Sequence, residues 1–243
     1  MSKSIQIANG QGFWGDSIDA PYSLINNTNI DYLTLDYLAE VTMAIMQKQR
    51  NKNPQMGYAT DFVDFICDCS DQILKKNIKI ISNAGGVNPE RCAKKIKDRC
   101  PSKIKIAIIE GDNILDKIHD YIKAGVKFNN MDTQDSIELI KNNICSANVY
   151  IDSFVVSEAL SFNPNIVLGG RITDPGLLVG PCIYEFNWSK DEYEKLAFAT
   201  VAGHIVECGA QCTGGNHSRW WEVEDLANIG YPIVKINDNG KFT

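Results

Sequence analysis

Ser4-Ile-Gln-Ile-Ala-Asn-Gly-Gln-Gly-Phe-Trp-Gly-Asp16 reads as a short apolar strand running into a glycine-rich loop. Gly10, Gly12 and Gly15 fall in the order G-x-G-x-x-G, with Asn9 before them and Asp16 after. Glycine lets backbone N–H groups come close to a ligand and takes φ values that other residues avoid. A loop of this kind after the first strand of a parallel sheet is a common place to hold an anion or a cofactor.

Outward from that loop, apolar runs alternate with amphipathic ones. Strands are expected at residues 30–36, 78–82, 104–109, 148–151, 166–168 and 231–236. Helices are expected at 22–25, 38–50, 60–76, from Pro89 onward, and at 114–123, 136–142, 153–160 and 188–202, the last continuing or kinking at Gly203. Asp19 is the expected cap of the first helix. Asn88-Pro89 opens another, Asp174-Pro175 repeats that pattern, and Ser189 with Glu192 forms a capping box. Strands rich in Ile and Val with helices between them predict an α/β fold: a mostly parallel sheet with helices on both faces, Rossmann-like and doubly wound. Residues 1–243 are expected to form a single α/β domain. Asn239-Gly240 reads as a hairpin turn whose returning strand is cut short at Thr243. On that ground the chain is expected to be the N-terminal portion of a longer protein.

With 243 residues, 44% of them hydrophobic, the chain can bury a full core. The net charge of -6 argues against a nucleic-acid partner, which needs concentrated Lys and Arg. Lys75-Lys76 and Lys94-Lys95 sit among acids and read as solvated faces. No apolar run is long enough to span a bilayer, and Met1-Ser-Lys-Ser has no signal-peptide core. The cytoplasm is therefore the expected location, with no membrane partner. The eight cysteines form no C-x-x-C and are expected as reduced thiols.

Four constellations could carry chemistry. The opening loop has a dinucleotide reading, since Asp36 ends the second strand at about the spacing of a ribose-binding acid. Pro21 and residues 16–19, however, push the helix start several residues late, and Phe13-Trp14 is bulky against a pyrophosphate. A different anion or a thioester fits the same edge. Asn9, Gly10, Gly12, Gly15, Asp16, Asp36, Asn83, Gly85 and Gly86 form the expected binding floor, and the cofactor is left unassigned. In Gly169-Gly-Arg-Ile-Thr-Asp174, Arg171 could clamp a carboxylate or phosphate, or simply pair with Asp174. On a helix, His204, Glu207 and Cys208 share a face with Cys212 a turn further. A His one turn from a Glu suits proton transfer, while a zinc site is weakened by Gly209, and no metal is expected. Asp36, Tyr37 and Glu40 could supply a base, although helix capping accounts for them more simply. The expected catalytic set is His204, Glu207, Arg171 and Asp174.

From Asn9-Gly-Gln-Gly-Phe-Trp-Gly-Asp16 the chain resembles the N-terminal domain of the acyclic terpene utilisation family. The likeness continues through residues 32–40, 57–62 and 82–89, and through Gly169-Gly-Arg-Ile-Thr-Asp-Pro175 and residues 203–215, nearly end to end. The resemblance implies a role in the catabolism of branched acyl chains through CoA thioesters, near biotin-dependent acyl-CoA carboxylases. It carries no agreed reaction and so assigns no catalytic roles. Relatives run well beyond this length and many carry Ser or Thr where Gly169 stands, which removes any hydroxyl role there. The expectation is a metabolic enzyme acting on a small branched acid or its CoA thioester. The alternatives are an NAD-dependent oxidoreductase or a non-catalytic partner subunit of an acyl-CoA carboxylase, with homo-oligomerisation left open.

Overall fold

The computed structural model describes residues 3–100 and 103–243. Met1 and Ser2, half of the stretch read for a signal core, lie outside the described residues. The elements run β1 (Ser4–Asn9), α1 (Asp19–Asn27), β2 (Tyr32–Leu35), α2 (Glu40–Lys52), α3 (Thr60–Lys76), β3 (Lys79–Ser82), α4 (Pro89–Arg99) and β4 (Ile106–Ile108). There follow α5 (Ile118–Lys123), α6 (Ser153–Ser161), β5 (Ile166–Leu168), α7 (Gly176–Phe186), α8 (Tyr193–Glu207) and β6 (Ile233–Asn237). The fold is α/β. One six-stranded sheet has the order β4-β5-β3-β2-β1-β6. Every pairing is parallel except β1 with β6, where Ile5 faces Ile236 across an antiparallel ladder.

Side chains alternate across a strand, so each strand feeds two cores. Ala8, Leu33, Leu35, Ile80, Ile166 and Leu168 pack with α1, α2, α3 and α4 on one face. Ile7, Tyr32, Ile81, Val167 and Ile236 pack with α6, α7 and α8 on the other. Covering both faces is what makes the strands nearly continuous in Ile, Leu and Val. No helix among the described residues is long and apolar enough to cross a membrane. All eight cysteines are free of disulfides.

Several local expectations shift. In α2 the buried face is Met43, Met46 and Gln47, while Val41 and Ile45 are exposed. Of the expected apolar set in residues 38–50, Leu38 and Met46 are buried and Val41 and Ile45 are not, because Leu38 lies in the loop before α2 and does not set the phase of the helix. Residues 148–151 make only isolated bridges, Asn148 to Asn113 and Ile151 to Ile172. Their partners are turns, so no strand can extend. α8 begins at Tyr193, not at Trp188. Asn187 ends α7 at φ 53°, and the Trp188 indole is tied instead to Asp238 O at 3.0 Å. The turn at Asn239-Gly240 closes as expected, and the chain pairs back from Thr243 onto Lys235.

Gly180 lies in α7 where α6 crosses it. A Cβ there would sit 2.5 Å from Val156 Cβ and 3.2 Å from Ser153 O. Alanine is the better helix former by about 1 kcal/mol, but overpacking a core costs about 1–3 kcal/mol. Gly180→Ala is therefore expected to lower the urea midpoint. A rise would show that the two helices separate without strain.

Candidate functional site

In a parallel sheet the turns after the strands share one edge, and here they are stitched together. The Asp36 N–H donates to Gln11 O at 2.9 Å, joining the turns after β2 and β1. The Tyr37 N–H donates to Asn83 Oδ1 at 2.7 Å, joining those after β2 and β3. The Gly169 N–H donates to Ser82 O at 2.9 Å, joining those after β5 and β3. α8 is brought in by Asn9, whose side-chain amide donates to Val206 O and Glu207 O at 2.7 and 2.6 Å. The opening loop, the Asn83 turn, Arg171, Asp174 and Glu207 are thus gathered at one edge.

The glycines and the loop amides serve the stitching. The Gly12 N–H donates to Asp16 Oδ2 at 3.1 Å, and Asp16 also accepts from Ser17 N and the Tyr231 hydroxyl. A Cβ on Gly12 would lie 2.6 Å from Cys208 O, and one on Gly85 would lie 2.6 Å from Gly169 O. Gly10 is pressed against Pro21, and Gly86, at φ +55°, against Met46 and Gly57. Gly15 has φ +110°, which an L side chain rarely adopts. The pattern of glycines therefore reports close backbone approach between turns. Asn88 stands at the N-cap of α4 with Pro89 after it, as expected, but its side chain makes no capping bond. Asp19 lies inside α1, and Asp174 lies ahead of Pro175, the N-cap of α7. The Asn88 amide donates to Pro54 O and Met56 O, and Asp174 turns to Arg171.

Asp36 is the most perturbed acid at this edge, 3% exposed. Burial pushes its carboxyl up to about 7. The donors Asn83 Nδ2 (2.6 Å) and Leu38 N (3.1 Å) work against that shift, and the charges of Asp174 and Glu207 add to it. Arg171 is 7% exposed. Its Nη1 meets Asp174 Oδ1 at 2.7 Å, its Nη2 lies 3.7 Å from Glu40 Oε1, and its guanidinium sits over the Tyr150 ring at 4.6 Å. The Tyr150 hydroxyl donates to Glu40 Oε1 at 2.7 Å, which helps hold the Glu40 carboxyl below its usual range. The Arg171 N–H is fixed by Asp112 Oδ2 at 3.0 Å.

His204 and Glu207 share α8 but are not bonded to each other. The imidazole Nδ1 lies 3.1 Å from Thr200 O on an exposed face, and Glu207 Oε1 accepts from Cys208 Sγ at 3.0 Å. Burial, helped by that bond, pushes the Cys208 thiol up to about 12. Among the described residues, no three His, Cys, Asp or Glu side chains cluster so as to hold a metal ion. Sequence reasoning missed Tyr150 and Asp112. Tyr150 falls in the stretch 148–151 expected as a strand, and nothing in that reading marked it as a partner of Arg171. Asp112 did carry a signal, its place in the Glu110-Gly111-Asp112 turn after a strand.

The family model described as acyclic terpene utilisation family protein AtuA matches residues 5–243, essentially the whole chain. No curated protein and no solved structure matches it.

A carboxyl raised on folding holds a proton that the unfolded chain releases. Its contribution to stability is full below the usual carboxylate range and fades as pH rises toward 7. Asp36→Asn keeps an oxygen for Asn83 and Leu38 but cannot ionise. The wild type is expected to lose thermal stability relative to Asp36→Asn as pH rises from about 4 to 7, the two running parallel above that. Profiles parallel below that point as well would overturn the assignment.

Proposed function

The chain belongs to the acyclic terpene utilisation family, and we propose that it is a metabolic enzyme acting at this edge on a small branched acid or its CoA thioester. The observation that carries the reading is Arg171. It is a buried guanidinium with one side held by Asp174 and the other only loosely by Glu40, whose side chain is 77% exposed. A ligand carboxylate or thioester oxygen can take the place of Glu40, giving a charge-assisted hydrogen bond in a low-dielectric setting. Glu207 at the rim is then the acid open to the anchored group, with the buried Asp36, its carboxyl raised to about 7, behind it as a group that can hold a proton. His204 is the exposed alternative for proton transfer.

The wider setting proposed is cytoplasmic. The sheet is proposed to be doubly wound and Rossmann-like, which puts ligands outside the carboxyl ends of its strands. The nicotinamide reading has less behind it. Gly12 already donates to Asp16 and abuts Cys208 O, and Asp36 is buried against Asn83 rather than open to a ribose. Association with a biotin-dependent acyl-CoA carboxylase is proposed from the resemblance alone, and self-association stays open. Co-purification with a biotinylated protein tests the first.

Native mass spectrometry with a panel of branched acyl-CoAs and their free acids tests the function. Saturable binding is expected, weakened about tenfold or more by Arg171→Ala, the scale of a lost charged hydrogen bond. Glu40→Gln, an exposed change with no risk to the core, is expected to tighten binding by removing the competing carboxylate. Absence of binding across the panel, or indifference to both substitutions, would overturn the proposal.

A further inference from the structure

A second surface, sharing no side chain with those proposed to act at the carboxyl edge, has the makings of an anion site. A groove of about 380 Å³ runs between α3 and α4, lined among others by Met56, Tyr58, Val63, Arg91, Lys95 and Arg99. Its volume lies within the range of small-molecule sites. Four cations project from the α4 side: Arg91, Lys94, Lys95 and Arg99. They occupy positions i, i+3, i+4 and i+8, one face of the helix. Lys94 is paired with Asp98 at 3.2 Å, and Arg99 with Asp64. Arg91 and Lys95 have no acidic partner among the described residues. In a chain of net charge -6 this is a local excess of positive charge.

The second observation is Tyr58. It lines the groove with its ring buried, 5% of the residue being exposed, and its hydroxyl has no hydrogen-bond partner among the described residues. That hydroxyl is open to the groove rather than enclosed. Beside uncommitted cations it is placed to donate to an anion's oxygen. Met56 and Val63 add an apolar wall that an inorganic anion would not need.

We propose that this groove binds a phosphomonoester of a small organic molecule, with the phosphate between Arg91, Lys95 and the Tyr58 hydroxyl and the organic part against Met56 and Val63. The sequence reading of Lys94-Lys95 as a solvated face holds, since both are exposed; Lys95 differs from Lys94 in having no acidic partner among the described residues. The inference is independent of the carboxyl-edge proposal and can stand or fall without it.

Isothermal titration of the full chain tests it, with adenosine monophosphate, inorganic phosphate and adenosine as probes. Saturable binding of the monophosphate is expected, weakening as salt is raised, with no binding of adenosine. The double substitution Arg91→Ala with Lys95→Ala, on an exposed helix face, is expected to reduce affinity at least tenfold. Tyr58→Phe should reduce it several-fold with an unchanged melting temperature. Equal affinity for inorganic phosphate would uphold the anion contacts and overturn the role of the apolar wall. No saturation by either phosphate probe, or binding untouched by the double substitution, would overturn the site.

Discussion

A single buried amide sets how the two halves of this fold meet. Asn9, at the end of β1, donates to the last two carbonyls of α8, almost two hundred residues later in the chain. The final carbonyls of a helix lack partners of their own, and inside a protein they need one. Asn9 supplies it, and its Oδ1 in turn takes the Gln11 N–H at 3.0 Å, fixing the turn that follows. The geometry at Gly12 depends on this. The opening loop can lie against Cys208 O only because α8 is drawn down onto it. Glu207 reaches the rim of the site by the same connection.

The electrostatics follow from the packing. Three carboxylates, from the turn after β2, the turn after β5 and the end of α8, act on one another across the edge, with one guanidinium among them. Burial is what most disfavours a charge on Asp36, and the neighbouring charges of Asp174 and Glu207 add to it. The most buried of them, Asp36, is the one that keeps its proton toward neutrality. Asn83 keeps that arrangement rigid by bonding both the carboxylate and the neighbouring backbone N–H.

The layout of the sheet was legible in the sequence because it rests on strong periodic signals. Ile78, Ile80 and Ile81, or Ile166 to Leu168, admit few readings other than a strand covered on both sides. The clustering of Asn9, Asn83 and Arg171 was legible for the same reason, since parallel strands bring their ends to one edge; Glu207, on α8, joins them through Asn9. The purpose of the glycines was not. Nothing local distinguishes a glycine that admits a phosphate from one that admits another turn, and Gly12 and Gly85 prove to be of the second kind. The pairing of Arg171 with Glu40 and Tyr150 was equally hidden, because it joins residues far apart in the chain.

The place of β5 bears on how a nascent chain reaches this state. β5 is inserted between β3 and β4, both of which precede it, so Ile80 and Ile106 wait for the same Ile166. When synthesis has passed β4 and not yet reached β5, two isoleucine-rich backbone edges are open at once. Long-range pairings of this sort slow folding, and open edges invite mispairing with other chains. The interval between β4 and β5 is thus the window in which a chaperone would have most to shield.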